Sequence, residues 1–312
     1  MRHRLSIIIP TYNRPSILPR AVASALVACP ESAEIIVVDD RSNTAQTALI
    51  SMSGDPRLRI VANDGDKGAA GARNFGVSIA RGDIILFLDD DDELIPDYPE
   101  RVLAAAAHSK ADFGFSAALL VDHRLNTERS STKEKSKALQ QGVLTANVPL
   151  QDKMPGLSRG VWIRKATFQD VGGICPAQIV DEDGDLFCRL FGFGHTCWFE
   201  AAPGVRIHKA YETGGQLVTT LSTGTDSLVE AECRLRTYQR NHPYFPQRSA
   251  DRWFLIRRIL RHAAYKGVDN VAISLLADIK PIDWRLRGWI FWKLKKTAAI
   301  RQYKQENRSR MQ

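Results

Sequence analysis

Gly82-Asp-Ile-Ile-Leu-Phe-Leu-Asp-Asp-Asp-Asp92 carries the reading of both fold and chemistry. Its first part, Asp83 to Leu88, is a short apolar run without polar alternation, the pattern of a strand buried on both faces. Its second part sets four carboxylates side by side, Asp89 to Asp92. Adjacent carboxylates repel one another and become favourable together mainly when a cation sits among them. Hard divalent ions such as Mn2+ and Mg2+ accept oxygen ligands, and Mg2+ commonly takes one or two carboxylates while substrate phosphates and water fill the rest. The plainer alternative is a solvated turn capping the next helix, where Asp is also favoured.

Upstream, Leu5 to Ile9, Glu34 to Val38 and Leu58 to Val61 repeat the apolar strand pattern. Helix-compatible stretches lie near Pro15 to Val27, Asn43 to Met52 and Ala69 to Ala80. This alternation predicts an α/β fold, a mostly parallel sheet flanked by helices. Right-handed crossovers then bring the C-terminal ends of the strands to one edge, where ligands bind in such folds. That edge would collect Pro10-Thr-Tyr-Asn-Arg14, Asp39-Asp-Arg-Ser42, Asn63-Asp-Gly65 and the acidic run. A carboxylate at Asp39 or Asp40 can accept from a nucleobase N–H or a ribose hydroxyl, and Tyr12 can offer an aromatic face. Taken singly, each is equally well explained as turn chemistry. Gly68-Ala-Ala-Gly71 has the wrong spacing for a dinucleotide fingerprint.

The chain has 312 residues, 44% of them hydrophobic, enough for a sizeable core with an appendage. Its net charge of +8 is unevenly placed: from Ala250 onward fifteen Lys and Arg face five acids, a net +10, which leaves −2 for the rest. Regularity fades between Asp112 and His208, where the polar stretch Asn126 to Lys137 is expected to form a mobile loop. Beyond Thr225 the pattern turns helical, with Trp253, Ile256, Ile259 and Leu260 at helix spacing and a last helix near Trp284 to Gln305. The expected division is a body of residues 1–220 and a basic helical C-terminal region, 221–312. Five cysteines at irregular spacings argue against a disulfide framework and for a reducing compartment. Cys188, His195 and Cys197 lack the paired element of a zinc site. No apolar run reaches the roughly 18 residues of a membrane span, and Arg14 interrupts the N-terminal stretch too early for a signal peptide. The expected location is cytoplasmic.

Ser6-Ile-Ile-Ile-Pro-Thr-Tyr-Asn-Arg14, Glu34-Ile-Ile-Val-Val-Asp-Asp-Arg-Ser42, Gly71-Ala-Arg-Asn74 and Gly82 to Asp92 resemble, in order and spacing, the successive motifs of glycosyltransferase family 2. The resemblance covers about the first two-thirds of the chain. It implies a GT-A fold, a nucleotide-diphosphate sugar donor, with UDP the family expectation, and inversion at the anomeric carbon. By position it implies that Pro10, Thr11, Tyr12 and Asp40 hold the nucleoside, with Arg14 and Asp39 beside them, and that Arg73 lines the nucleotide site. Asp89-x-Asp91 would be the metal motif for Mn2+ or Mg2+, with Asp91 the direct ligand and Asp90 on the ribose or sugar side. Residues 1–110 would then form the donor part and 111–220 the acceptor part.

Farther on, Asp181-Glu-Asp-Gly-Asp-Leu-Phe-Cys-Arg189 resembles the motif in which this family places its catalytic base, which would be Asp183. Val161 to Arg164, Phe168 and Val171-Gly-Gly-Ile174 resemble the approach to it. Asp185 is the competitor by a shift of register, Glu182 a lesser one, and an acidic helix start is the structural alternative. Transfer from a diphosphate needs one charge-neutralised carboxylate region at the leaving group and a separate carboxylate that accepts the acceptor's proton. His208 resembles a C-terminal histidine that some members place near the diphosphate or metal; a structural histidine is the alternative. The acceptor would be a glycan or lipid-linked hydroxyl in cell-surface polysaccharide synthesis. Trp284, Leu286, Trp289, Ile290, Phe291, Trp292 and Leu294 among five Lys and Arg have the composition of a helix at an anionic membrane surface, over 284–304, or of one packed on the body. Nucleic acid is not expected, since no motif accompanies the charge. The competing functions are a nucleotidyltransferase, which would bring a Gly-rich loop near the first strand, and a catalytically silent binding module, which intact Asp91 and Asp183 argue against.

Overall fold

The computed structural model describes residues 4–43, 54–123, 125–130, 139–209, 212–213, 216–217 and 225–310, the side chains of 212–217 and 302–310 excepted. The chain divides into two units, Met1–Thr219 and Thr220–Gln312.

Unit 1 holds strands β1 (Leu5–Thr11), β2 (Ala33–Asp39), β3 (Leu58–Ala62), β4 (Ile84–Phe87), β5 (Glu93–Leu94), β6 (Phe113–Asp122), β7 (Thr127–Ser130), β8 (Gly142–Val143), β9 (Trp162–Arg164) and β10 (Cys197–Lys209). Its described helices are α1 (Leu18–Ala28), α2 (Ala69–Ile79), α3 (Tyr98–His108), the single turn α4 (Leu150–Lys153), α5 (Lys165–Asp170) and α6 (Glu182–Gly192). The strands form one sheet in the order β3-β2-β1-β4-β9-β6-β10-β5, with β7 on β6 and β8 on β10. β1 runs parallel to β2 and β4, and β2 parallel to β3. β9 is antiparallel to both its neighbours, and β10 is parallel to β6.

Every residue of β1 is buried, as an apolar strand covered on both faces requires. Its side chains alternate between two cores. Leu5, Ile7 and Ile9 pack with Leu18, Ala21 and Val22 of α1 and Val102 of α3; Ile8 packs with Ala72 and Val77 of α2 and Leu186 and Leu190 of α6. The parallel run β3-β2-β1-β4 therefore ends at one edge, and the segments after Thr11, Asp39, Ala62 and Phe87 meet there.

One local expectation changes. Thr127 to Ser130 form β7, antiparallel to β6, rather than the start of a mobile loop; residues 131–137 lie outside the described ones. An edge strand bonds through its backbone and leaves its polar side chains in water, so its composition carried no strand signal. His208 lies inside β10, opposite Val121, because register shifts on either side of Pro203 absorb Ala201, Ala202 and Gly204 and let the strand continue. All but the first residue of the expected helix Asn43 to Met52 lies outside the described residues.

Unit 2 is helical: α7 (Ser227–Asn241), α8 (Ala250–Lys266), α9 (Asp269–Asp278) and α10 (Ile282–Arg310). Asp226 caps α7 by accepting from Leu228 N and Val229 N, Ser249 caps α8 by accepting from Arg252 N, and Gly267 at φ 74° ends α8. Trp253 packs edge-on against Trp284 and Phe291, with centroids 5.6 and 6.1 Å away.

Candidate active site

The polar segments at the sheet edge are sewn together before any ligand is considered. Thr11 Oγ1 donates to Asp90 Oδ2 at 2.8 Å, joining the ends of β1 and β4. Asn13 N donates to Ser42 Oγ at 2.8 Å and Asn43 N to Asn13 Oδ1 at 3.0 Å, joining the ends of β1 and β2. Asp40 accepts from Asn63 Nδ2 at 2.6 Å and from Gly68 N at 2.7 Å, reaching the segment after β3 and the start of α2. Asn13 and Arg41 take left-handed backbone, φ 52° and 66°, as short polar turns do at strand ends. Asp39 accepts from Ser42 N at 3.0 Å, so turn chemistry occupies part of its carboxylate. Pro10 lies within β1 opposite Val38, and Tyr12 is exposed with Lys67 Nζ 5.9 Å from its ring centroid.

The acidic run does not act as a uniform cluster. Asp89, Asp91 and Asp92 each bring a carboxylate oxygen within 4.8 Å of the others, whereas Asp90 is turned onto Thr11 and Arg14. Arg14 Nη1 bridges Asp90 Oδ1 at 2.7 Å and Asp91 Oδ2 at 2.9 Å. Burial pushes the Asp90 carboxyl up to about 6, with the Asp91 charge adding and Arg14 opposing. Burial and the neighbouring Asp89 charge raise Asp91, and the same causes, with Asp91 added, raise Asp92 well above the usual carboxylate range. Three oxygen donors crowded until ionisation is costly are a set that a hard divalent cation relieves, so these residues fit Mn2+ or Mg2+. His208 approaches the group through its backbone, whose N–H donates to Asp92 Oδ1 at 3.1 Å. Its ring faces elsewhere: Nδ1 is 2.8 Å from His123 Nε2, and Nε2 is 2.9 Å from Glu93 without hydrogen-bond alignment.

Arg73 carries this group across to the second acidic motif. Its buried guanidinium donates to Asp89 Oδ1 at 2.6 Å and to Glu182 Oε1 at 3.3 Å. Desolvation would favour loss of its proton, but Asp89, Glu182 and Asp183 together hold its pKa above the ordinary value. The Nε of Arg73 finds no acceptor among the described residues. Neighbouring motif residues place it there. Gly71 brings α2 so near the preceding loop that a Cβ would lie 1.8 Å from the Asp66 carbonyl oxygen. Asn74 accepts from Ile174 N at 2.9 Å and donates to Ile174 O at 2.7 Å, tying α2 to the segment before α6.

Adjacent carboxylates of α6 have opposite fates. Asp183 is half-buried, and its Oδ1 accepts from Gly184 N at 2.6 Å. Asp185 is fully buried and ion-paired with Arg189 at 2.9 Å, which in turn donates to the carbonyls of Val171 and Gly173. Asp185 thus anchors α6 from behind, whereas the Asp183 charge acts on the Arg73 guanidinium.

Asp92 and Asn63 were placed at the edge by sequence but given no individual role, and Arg20 was not singled out. Arg20 Nη2 donates to the Asp91 carbonyl at 2.6 Å from the first turn of α1. Asp92 was visible as the fourth acid of the run and Asn63 in the polar segment after the third strand, while nothing local marks Arg20.

Residues 6–154 match the family model described as glycosyl transferase family 2. An uncharacterized glycosyltransferase of Haemophilus influenzae is 30% identical over 189 residues, 60% of this chain and 61% of that protein. The UDP-Glc:alpha-D-GlcNAc-diphosphoundecaprenol beta-1,3-glucosyltransferase WfaP of Escherichia coli is 42% identical over 88 residues, 28% of this chain and 35% of that protein. The chain therefore spans less than two thirds of either relative's length. Among solved structures, S. aureus TarS superposes with a TM-score of 0.62 at 15% identity, over 97% of this chain and 92% of that one, and the same TarS chain has also been solved with UDP-GlcNAc. This likeness shows that the architecture is the GT-A fold of α/β type.

Proposed function

We propose that this chain, whose residues 6–154 match the model of glycosyl transferase family 2, is an inverting glycosyltransferase moving a sugar from a UDP-sugar to a hydroxyl of a glycan or lipid-linked acceptor, in cell-surface polysaccharide synthesis. The observation that carries this reading is the Arg73 bridge, one buried cation bonded to Asp89 of the first acidic motif and Glu182 of the second. Relatives named for polysaccharide synthesis and for undecaprenol-linked acceptors support the choice of acceptor. No described helix is long and apolar enough to cross a membrane.

In this reading Asp89, Asp91 and Asp92 would hold Mn2+ or Mg2+, which supplies charge neutralisation at the donor diphosphate. Asp40, the Pro10-Thr11-Tyr12 segment and Asp39 frame the nucleoside. Arg14 and Asp90 brace the acidic run from the nucleoside side, and Arg73 donates to the donor's oxygens while holding Asp89 and Glu182 together. The acceptor oxygen forms its bond to the anomeric carbon from the face opposite the diphosphate. The carbon–oxygen bond to phosphate breaks, its electron pair leaving with UDP, and the acceptor's hydroxyl proton passes to Asp183. No covalent sugar intermediate is needed.

Calorimetric titration with UDP and Mn2+ or Mg2+, paired with UDP release from a panel of UDP-sugars over a membrane-lipid extract, tests both assignments. Asp91→Ala is expected to abolish metal-dependent UDP binding, and retained affinity would sink the donor site. Asp183→Asn is expected to bind UDP normally and to lose roughly 100-fold or more in turnover; undiminished turnover would remove Asp183 as base.

A further inference from the structure

We propose that α10 seats the chain on an anionic lipid bilayer, with Leu286, Trp289, Ile290 and Leu294 entering the headgroup boundary. The inference rests on the surface of unit 2 and stands whether or not the transfer reading does. One face of α10 is used up by packing: Trp284, Gly288 and Trp292 are buried, with Phe291 half-buried beside them. Ile282, Leu286, Trp289, Ile290, Leu294 and Ile300 recur at helical spacing on the other side, and each is between 46 and 78% exposed. A contiguous apolar stripe left in water on a folded helix marks a surface with a partner.

Charge chooses the occupant. Arg285, Arg287, Lys293 and Arg301 are exposed on the same helix, with Lys295 and Lys296 half-buried. Asp283 is the one acid in the 282–301 stretch, and Arg248 pairs with it at 3.0 Å. The cations lean on aromatic rings: Arg287 lies 4.1 Å from the Trp253 centroid, Lys293 4.9 Å from Trp292 and 5.6 Å from Trp289, and Lys295 5.7 Å from Phe291. Long basic side chains flanking an exposed indole and aliphatic stripe suit a surface that is apolar beneath and anionic above, as a bilayer of acidic phospholipid is. Since the helix does not meet the requirement for a membrane span, it would lie in the plane of the interface.

Sedimentation of the full chain with vesicles tests this, comparing phosphatidylglycerol-containing bilayers with pure phosphatidylcholine at low and high salt. The expected result is at least roughly tenfold stronger partition onto the anionic vesicles, weakening as salt rises. The double variant Leu286→Asp, Trp289→Glu should lose that preference while its melting temperature is kept. Leu294→Asp, at a 66% exposed position, serves if the double variant fails to fold. Equal binding to neutral vesicles, undiminished binding by a folded variant, or a concentration-dependent dimer in light scattering that the variant dissolves would overturn the proposal; the last would make the face a contact between copies of the chain. UDP binding, read separately, reports on the donor site and not on this face.

Discussion

Asp183 and Asp185 lie two positions apart and do opposite things. Asp185 is sealed in with Arg189 as its partner, and removing one member of a buried pair strands the other charge. Asp185→Asn is therefore expected to cost about 3 to 5 kcal/mol, read as a lower urea midpoint. Asp183→Asn, at a half-buried position, should move stability by less than about 1 kcal/mol. Equal costs for the two would put Asp183 in the scaffold and take away its place as base. The same division runs through the acidic run: Asp90 turns inward on Thr11 and Arg14, while its neighbours gather their oxygens within 4.8 Å.

At the level of elements, the position of α2 decides whether the two acidic motifs meet. Its first turn rides on the loop after β3 because Gly71 has no side chain, and its second turn is stitched through Asn74 to the segment that leads into α6. Gly173, at φ 67° and with a would-be Cβ 2.9 Å from Asn74 Oδ1, keeps that segment close. Gly71→Ala sets a methyl against a backbone carbonyl, so α2 must shift and carry Arg73 with it. The expected outcome is a loss of about 1 to 3 kcal/mol in stability, together with weaker UDP binding than Asp183→Asn shows by calorimetry. Unchanged UDP affinity would mean that Arg73 does not line the donor site. Gly71-Ala-Arg-Asn74 was legible in the sequence as a motif, but the reason for its glycine and its asparagine lies in contacts with Asp66 and Ile174 that no local pattern announces.

For the molecule as a whole, the stability of unit 1 should carry an acid limb from Glu34. Burial works to raise this carboxyl, but the Ser6 hydroxyl, the Arg81 N–H and Arg59 donate to it and hold its pKa below the ordinary value. A carboxylate whose pKa is depressed by folding contributes stability above its unfolded pKa, and the contribution is lost as pH falls through the folded one. Glu34→Gln is thus expected to lose about 2 kcal/mol at pH 7, and the gap to wild type should narrow below about pH 4 in thermal melts. A gap independent of pH would assign the loss to packing. The sequence alone determined that four apolar strands end in polar segments at one edge, because strand burial and parallel connection are written in short-range periodicity and chain order. It also determined which runs were acidic. Only the tertiary structure decided which carboxylates of those runs gather their oxygens together or stay half-buried and which are tied into the scaffold. Neighbouring residues share composition and local propensity, and what separates Asp90 from Asp91, or Asp183 from Asp185, is a partner brought in from far along the chain: Thr11 and Arg14 in the first case, and in the second an Arg189 itself held by the carbonyls of Val171 and Gly173.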